Sequence, residues 1–202
     1  MDYNPPSRII LGLQMAGIQQ KLAVLFADIS GSSELYERFG DERARRSISQ
    51  CVDIMTKELP ARQGTLVKTI GDEIMCTFPT AEQAFHAACA MQGAVENSRY
   101  EDGSAMHIRI GFHHGEVIHE SGDVFGDTVN IAARVAAITR ASQIIVTQTV
   151  ADALPPALRD KTRRLVRAEF KGKPAQFDIY MVIWAPDEKL GARVGTPAQR
   201  KS

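Results

Sequence analysis

Gly64-Thr65-Leu66-Val67-Lys68-Thr69-Ile70-Gly71-Asp72-Glu73-Ile74-Met75-Cys76-Thr77-Phe78 reads as two strands, 64–70 and 73–78, joined at a Gly-Asp turn. Glycine supplies the turn's backbone freedom and the flanking apolar runs supply the strands. Upstream, Lys21 to Asp28 (KLAVLFAD) is a compact apolar run, read as a buried strand. Between the two, Ser33 to Phe39 predicts a helical turn closed by Gly40. Ala44, Ile48, Cys51, Val52, Met55 and Leu59 then recur at three- and four-residue steps, an amphipathic helix with Asp41 as N-cap and Pro60 as its end. Downstream, Thr80 caps a helix whose apolar face holds Ala84, Phe85, Ala88, Met91 and Val95. Met106 to Phe112 alternates as a strand that Gly115 to Ile118 continues past a break. The order is βαββαβ, that of a ferredoxin-like core.

The predicted fold class is therefore α+β: a ferredoxin-like core with additional C-terminal strands and helices, the helices packed on one face of a mostly antiparallel sheet. The additions are an extended piece at 123–126, a helix at 127–139, a strand at 144–146, a small helix capped by Thr147, and a strand pair at 163–170 and 176–184. Residues 1–19 read as a linker or short helix on Ile9, Ile10, Leu13 and Ile18, residues 20–184 as one domain, and 185–202 as a polar tail.

Hydrophobic residues make up 44% of the 202 and charged residues 24%, which suits one globular domain with a sizeable core. The formal net charge of +0 gives no reason to expect nucleic acid or an anionic membrane as partner. A polyphosphate would have to be held by a local cluster. Cys51, Cys76 and Cys89 show no CxxC spacing and are odd in number, so they read as reduced core residues of a cytoplasmic protein. No apolar run reaches the roughly 18 residues of a membrane span, and the N-terminus lacks a signal-peptide pattern.

The candidate chemistry starts at Asp28, which ends an apolar strand and is followed by Ile29-Ser30-Gly31-Ser32-Ser33. Gly31, Ser32 and Ser33 allow close backbone approach, and amides at a helix start can donate to phosphate. If the strands are neighbours, Asp28 and Asp72 converge, and two carboxylates can hold the divalent metals that carry a nucleoside triphosphate. Taken singly, each of these residues is ordinary turn or cap chemistry. Asn130 and Arg134 are four apart and share a helix face. Lys171-Gly172-Lys173 alone would be a solvated turn. His86, His107, His113, His114 and His119 have no partner at metal-ligand spacing and read as structural.

FADISGSS at 26–33, KTIGDEIM at 68–75, IRIGFHHGEVI at 108–118, GDVFGDTVNIAARV at 122–135 and FKGK at 170–173 together resemble the class III nucleotidyl cyclase catalytic domain, the adenylate and guanylate cyclase family. The resemblance runs over about residues 20–184, with the five motifs in the family's order. Ser32 and Ser33 stand where many members carry an aromatic and a Thr. The resemblance implies a homodimer with sites built from both chains, and two ions per site, Mg²⁺ or Mn²⁺, at Asp28, Ile29 and Asp72. It implies that Lys68 and Asp123 read the base and that Gly31, Ser32 and Ser33 cradle the triphosphate. Asn130 would contact the ribose region and Arg134 the transition-state phosphate. Lys171 would meet the terminal phosphates, with Lys173 a close alternative.

The implied reaction is attack of the ribose 3′-oxygen on the α-phosphorus with loss of pyrophosphate. Two metals on two carboxylates can clamp the attacking and leaving oxygens, and an Arg following the developing charge can be worth roughly 10³ in rate. Lys68 only donates and ionised Asp123 only accepts. That pair complements adenine, with its ring acceptor and exocyclic amine, whereas guanine offers the reverse. The expected activity is thus an adenylate cyclase, a lyase making cyclic AMP from ATP. Alternatives are a GTP-using cyclase and a silent cyclase-like module. The polar ends read as linker ends of a catalytic module with a fused or partner regulatory element.

Overall fold

The hairpin forms from β2 (Thr65–Ile70) and β3 (Glu73–Phe78), with Gly71 at φ 64° in the turn. The computed structural model describes residues 18–101, 103–169 and 176–185. β1 (Ile18–Ile29) lies between β3 and β4 (Ile108–Glu120) and is antiparallel to both. β6 (Ile144–Thr147) runs parallel to β4, followed across the sheet by β8 (Gln176–Val182) and the edge strand β7 (Thr162–Glu169). β5 (Asp123–Phe125) folds back on the end of β4. The strand order β2-β3-β1-β4 is the one the βαββαβ reading requires.

β1 shows why its sequence is a continuous apolar run rather than an alternating one. Ala23, Leu25, Ala27 and Ile29 face one core, under the helices α2 (Asp41–Lys57) and α3 (Ala81–Asn97). Val24 and Phe26 face the other, with Ala132 and Ala136 of α4 (Asp127–Ile138). A strand buried on both faces reads as unbroken hydrophobicity. Helices therefore cover both faces of the sheet, not one: α4 packs opposite α2 and α3. Truncating Leu25, fully buried, to Ala would cost about 2–5 kcal/mol by the lost burial and the cavity left behind.

Other expectations change for local physical reasons. Ile18 belongs to β1, paired with His119, and not to a helix. The other residues proposed for that helix lie outside the described ones. Gly40, at φ 77°, is the N-cap of α2, and Asp41 opens its first turn. The short helix α1 (Ser32–Phe39) precedes it. Thr147 ends β6 and makes no cap bond to α5 (Gln148–Ala153). Its hydroxyl instead lies 2.7 Å from Nδ1 of buried His113. Burial, followed by the neighbouring His114, pushes the His113 imidazole down to about 4, so it sits neutral under α4. A second short helix, α6 (Pro156–Arg159), leads into β7.

β4 does not break at Gly115. A Cβ there would stand 2.5 Å from Thr128 Oγ1, so the glycine makes room for α4. Gly111 does the same more severely, since its Cβ would lie 2.2 Å from the Ala136 amide nitrogen. The helix backbone rests directly on the strand. Gly111→Val should therefore lower stability by about 2–3 kcal/mol or more through overpacking. Urea denaturation checks this, and an unchanged midpoint would contradict the close approach.

Candidate active site

Asp28, the penultimate residue of β1, is opposed by Glu73 on β3 and by Arg109 on β4. Directly opposed residues project to the same face, so Glu73, Asp28 and Arg109 form a row across three strands. The Arg109 guanidinium donates to Asp28 Oδ2 from Nε at 2.6 Å and lies 2.5 Å from it through Nη2. The chain then turns through Gly31, at φ 76°, into α1. The Ser30 amide donates to the His107 carbonyl at 2.8 Å, which fixes the turn against the start of β4.

A cleft of about 580 Å³ opens at this point, lined by Asp28, the Ile29–Ser33 turn, Asp72, Arg109 and residues 139–141 beyond α4. Its size falls in the ordinary range for small-molecule sites, about 300–1,000 Å³. Burial raises the Asp28 carboxyl pKa; Arg109 opposes the rise and the Asp72 charge adds to it. Glu73 is also raised, first by burial and then by Asp28. Among the described residues, buried Asp72 Oδ2 has no hydrogen-bond partner. Carboxylates thus crowd a partly dry cleft, with the Arg109 guanidinium bonded into it.

This donor set fits a hard divalent cation. Asp72 Oδ2 has free lone pairs, and carboxylate oxygens suit Mg²⁺ or Mn²⁺. Among the described residues no set of three or more His, Cys, Asp or Glu forms a metal cage. An ion held by Asp28 and Asp72 would complete its shell from phosphate and water, the usual habit of Mg²⁺. Ile29 lines the same cleft.

A second group assembles elsewhere in the chain. Lys68 Nζ on β2 donates to Asp123 Oδ2 on β5 at 2.6 Å. The Val124 amide donates to Asp123 Oδ1 at 2.8 Å. The bond from Lys68, then that from Val124, holds the Asp123 carboxyl below its ordinary range. Asn130 is exposed and Arg134 half-buried on α4, whose inward face is Ile131, Ala132, Val135 and Ala136. None of Lys68, Asp123, Asn130 and Arg134 lines the Asp28–Asp72 cleft. The expected site residues therefore fall into two groups within one chain. Lys171 and Lys173 lie outside the described residues.

Sequence reading missed Arg109 and Glu73. Both sit inside quoted motifs, but only the strand register places them beside Asp28. His107 likewise gains a role in the fold, since its Nδ1 meets the Ser142 hydroxyl at 3.1 Å.

The family model for the adenylate and guanylate cyclase catalytic domain matches residues 15–183. An adenylate cyclase of Streptomyces coelicolor is 31% identical over 137 residues, a match covering 68% of this chain and 35% of that protein. The chain thus spans about a third of the length of that relative. Among solved structures, an adenylate/guanylate cyclase/hydrolase from Silicibacter pomeroyi is 26% identical with a TM-score of 0.72, covering 83% of this chain and 98% of that one. The catalytic core of a rhodopsin-guanylyl cyclase with converted specificity, in complex with ATPαS, shares the fold at a TM-score of 0.76 and 22% identity, covering 82% and 97%.

The crowding has a pH signature. Glu73's ordinary value is 4.5 and its folded value is higher. As pH rises through that window the unfolded chain loses its proton first, so stability falls there and stays reduced above it. In a chelating buffer, Glu73→Gln should unfold at higher urea than wild type at about pH 8, and the two should converge below the ordinary carboxylate range. Equal midpoints at the higher pH would show that burying the Glu73 charge beside Asp28 carries no cost.

Proposed function

The chain belongs to the adenylate and guanylate cyclase catalytic domain family, and from that premise we propose that it converts ATP to 3′,5′-cyclic AMP and pyrophosphate at sites shared between two copies of the chain. One observation carries the reading. The acidic cleft and the Lys68–Asp123 pair are each built, yet neither Lys68 nor Asp123 lines the cleft. Two copies related by a two-fold axis can bring the cleft of one against the pair of the other, since a symmetric interface repeats each contact. Ile70, Phe125 and Ile138 are 51%, 48% and 45% exposed. Each lies within two residues of Asp72, Asp123 or the cleft wall at 139, and each offers apolar surface for a second copy to cover.

In this reading the Gly31–Ser33 amides receive the triphosphate, and Arg109 turns its remaining donors toward it. Lys68 donates to the adenine ring acceptor while Asp123 accepts from the exocyclic amine. Their mutual bond holds both in place before the base arrives, and guanine would leave a donor facing a donor. Asn130 fixes the ribose, and Arg134 follows charge onto the phosphoryl oxygens. The 3′-oxygen forms its bond to the α-phosphorus as the bond to the bridging oxygen breaks and pyrophosphate departs. Asp28 and Asp72 would hold the divalent cations, which would supply charge neutralisation and a lowered pKa for the 3′-hydroxyl, whose proton passes to water. Lys171 is assigned to the departing phosphates. Among the described residues no helix is long and apolar enough to cross a membrane, and we place the activity in the cytoplasm, where ATP is supplied.

Purified chain with Mn²⁺ should release cyclic AMP and pyrophosphate from ATP, with much slower turnover of GTP. Lys68→Ala, which removes a base contact, and Asp72→Ala, which removes a metal ligand, should each lose roughly 10²–10³-fold in activity through lost positioning and charge stabilisation. Mixed in equal amounts they should recover about a quarter of wild-type activity, because half of the dimers are mixed and each has one intact site of two. Turnover of GTP alone would reverse the base assignment. Absence of recovery in verified heterodimers would refute the shared site.

A further inference from the structure

The loop between α4 and β6 forms one wall of the acidic cleft and places a second arginine there. Arg140 lines the cavity together with Asp28, the Ile29–Ser33 turn, Asp72 and Arg109. It is exposed, and among the described residues its guanidinium makes no hydrogen bond or ion pair, whereas Arg109 is committed to Asp28.

The loop that carries it is held at several points. The Arg140 amide donates to Gln143 Oε1 at 3.2 Å, and the Gln143 amide donates to the Arg140 carbonyl at 3.1 Å, closing a turn. Ser142, at φ 60°, donates its amide to the Ile108 carbonyl at 2.8 Å and accepts from Trp184 Nε1 at 2.9 Å. Gln92 Nε2 from α3 reaches the Gln143 and Ile108 carbonyls, both at 3.1 Å. His107 links this loop to the phosphate-facing turn: its carbonyl takes the Ser30 amide and its Nδ1 meets the Ser142 hydroxyl. The Arg140 backbone and the Gly31–Ser33 amides are therefore fixed relative to one another. An unengaged, pre-placed guanidinium facing the same space as those amides is suited to an anion with several acceptor oxygens.

We propose that Arg140 is a triphosphate-binding residue that contacts the outer phosphates of the nucleotide from the α4–β6 loop. The inference rests on the cyclase reading for its substrate, and on the cleft geometry alone for its ligand class, an inorganic or nucleotide polyphosphate.

The test uses the full chain with Mn²⁺, titrated with inorganic tripolyphosphate by calorimetry, for wild type, Arg140→Ala and Arg140→Lys, with ATP kinetics alongside. The expected result is at least roughly tenfold weaker tripolyphosphate binding in Arg140→Ala, partial recovery in Arg140→Lys, unchanged urea midpoints and a raised KM for ATP. If wild type binds no tripolyphosphate, or Arg140→Ala binds it equally well, the proposal fails. Weakened binding in a chain that turns over neither ATP nor GTP would uphold the phosphate contact and sink the cyclase reading. Normal ATP turnover, with KM and tripolyphosphate affinity both untouched by Arg140→Ala, would do the opposite.

Discussion

The burial of β1 on both faces is the constraint from which the site follows. Its odd-numbered residues pack under α2 and α3, its even-numbered residues pack under α4, and its edges pair with β3 and β4. A strand fixed on four sides has no freedom of register, because a one-residue slip would exchange its faces. Asp28 at its end is consequently set between Glu73 and Arg109, and the Gly31 turn is delivered to the same place. The glycines of β4 complete the constraint. Gly111 and Gly115 let α4 rest on the strand backbone, and α4 carries Asn130 and Arg134 at a height that packing determines.

The two polar groups differ in electrostatic character. The cleft and its margin gather like charges in partial burial, with Asp28 in the cleft and Glu73 beside it both raised and one Asp72 oxygen without a hydrogen-bond partner among the described residues. Such an arrangement is unfavourable alone and is relieved by cations. The Lys68–Asp123 pair is self-neutralising, with the acid held ionised by its donors. One half is therefore built to receive positive charge and phosphate, and the other to present a donor and an acceptor side by side. Within our reading, dimerisation does chemical work by bringing an incomplete acidic half against an incomplete recognition half.

Much of this was legible in the sequence because the signals are local. Gly71-Asp72 marks a turn, the steps from Ala44 to Leu59 mark a helix, and the βαββαβ order dictates which strands are neighbours. Lys68 and Asp123, paired in advance as base readers, meet in the fold. What sequence reading missed is nonlocal. Arg109 becomes a cleft residue, and Glu73 a neighbour of Asp28, only through a register spanning three strands. The continuous run of KLAVLFAD carried the evidence for a second helical layer, but helices were expected on one face only. Gly115 looked like a break because a glycine that ends a strand and one that admits a helix are the same letter. The Arg140 loop gave no motif, since its placement depends on Gln92, His107 and Trp184, which lie far from it in the chain.

A crystal structure of the chain with Mn²⁺ and ATPαS tests the central claim most directly. The account predicts phosphates between Asp28 and Asp72 of one copy and adenine against Lys68 and Asp123 of the other. Nucleotide bound within a single copy, or phosphates remote from both carboxylates, would contradict it.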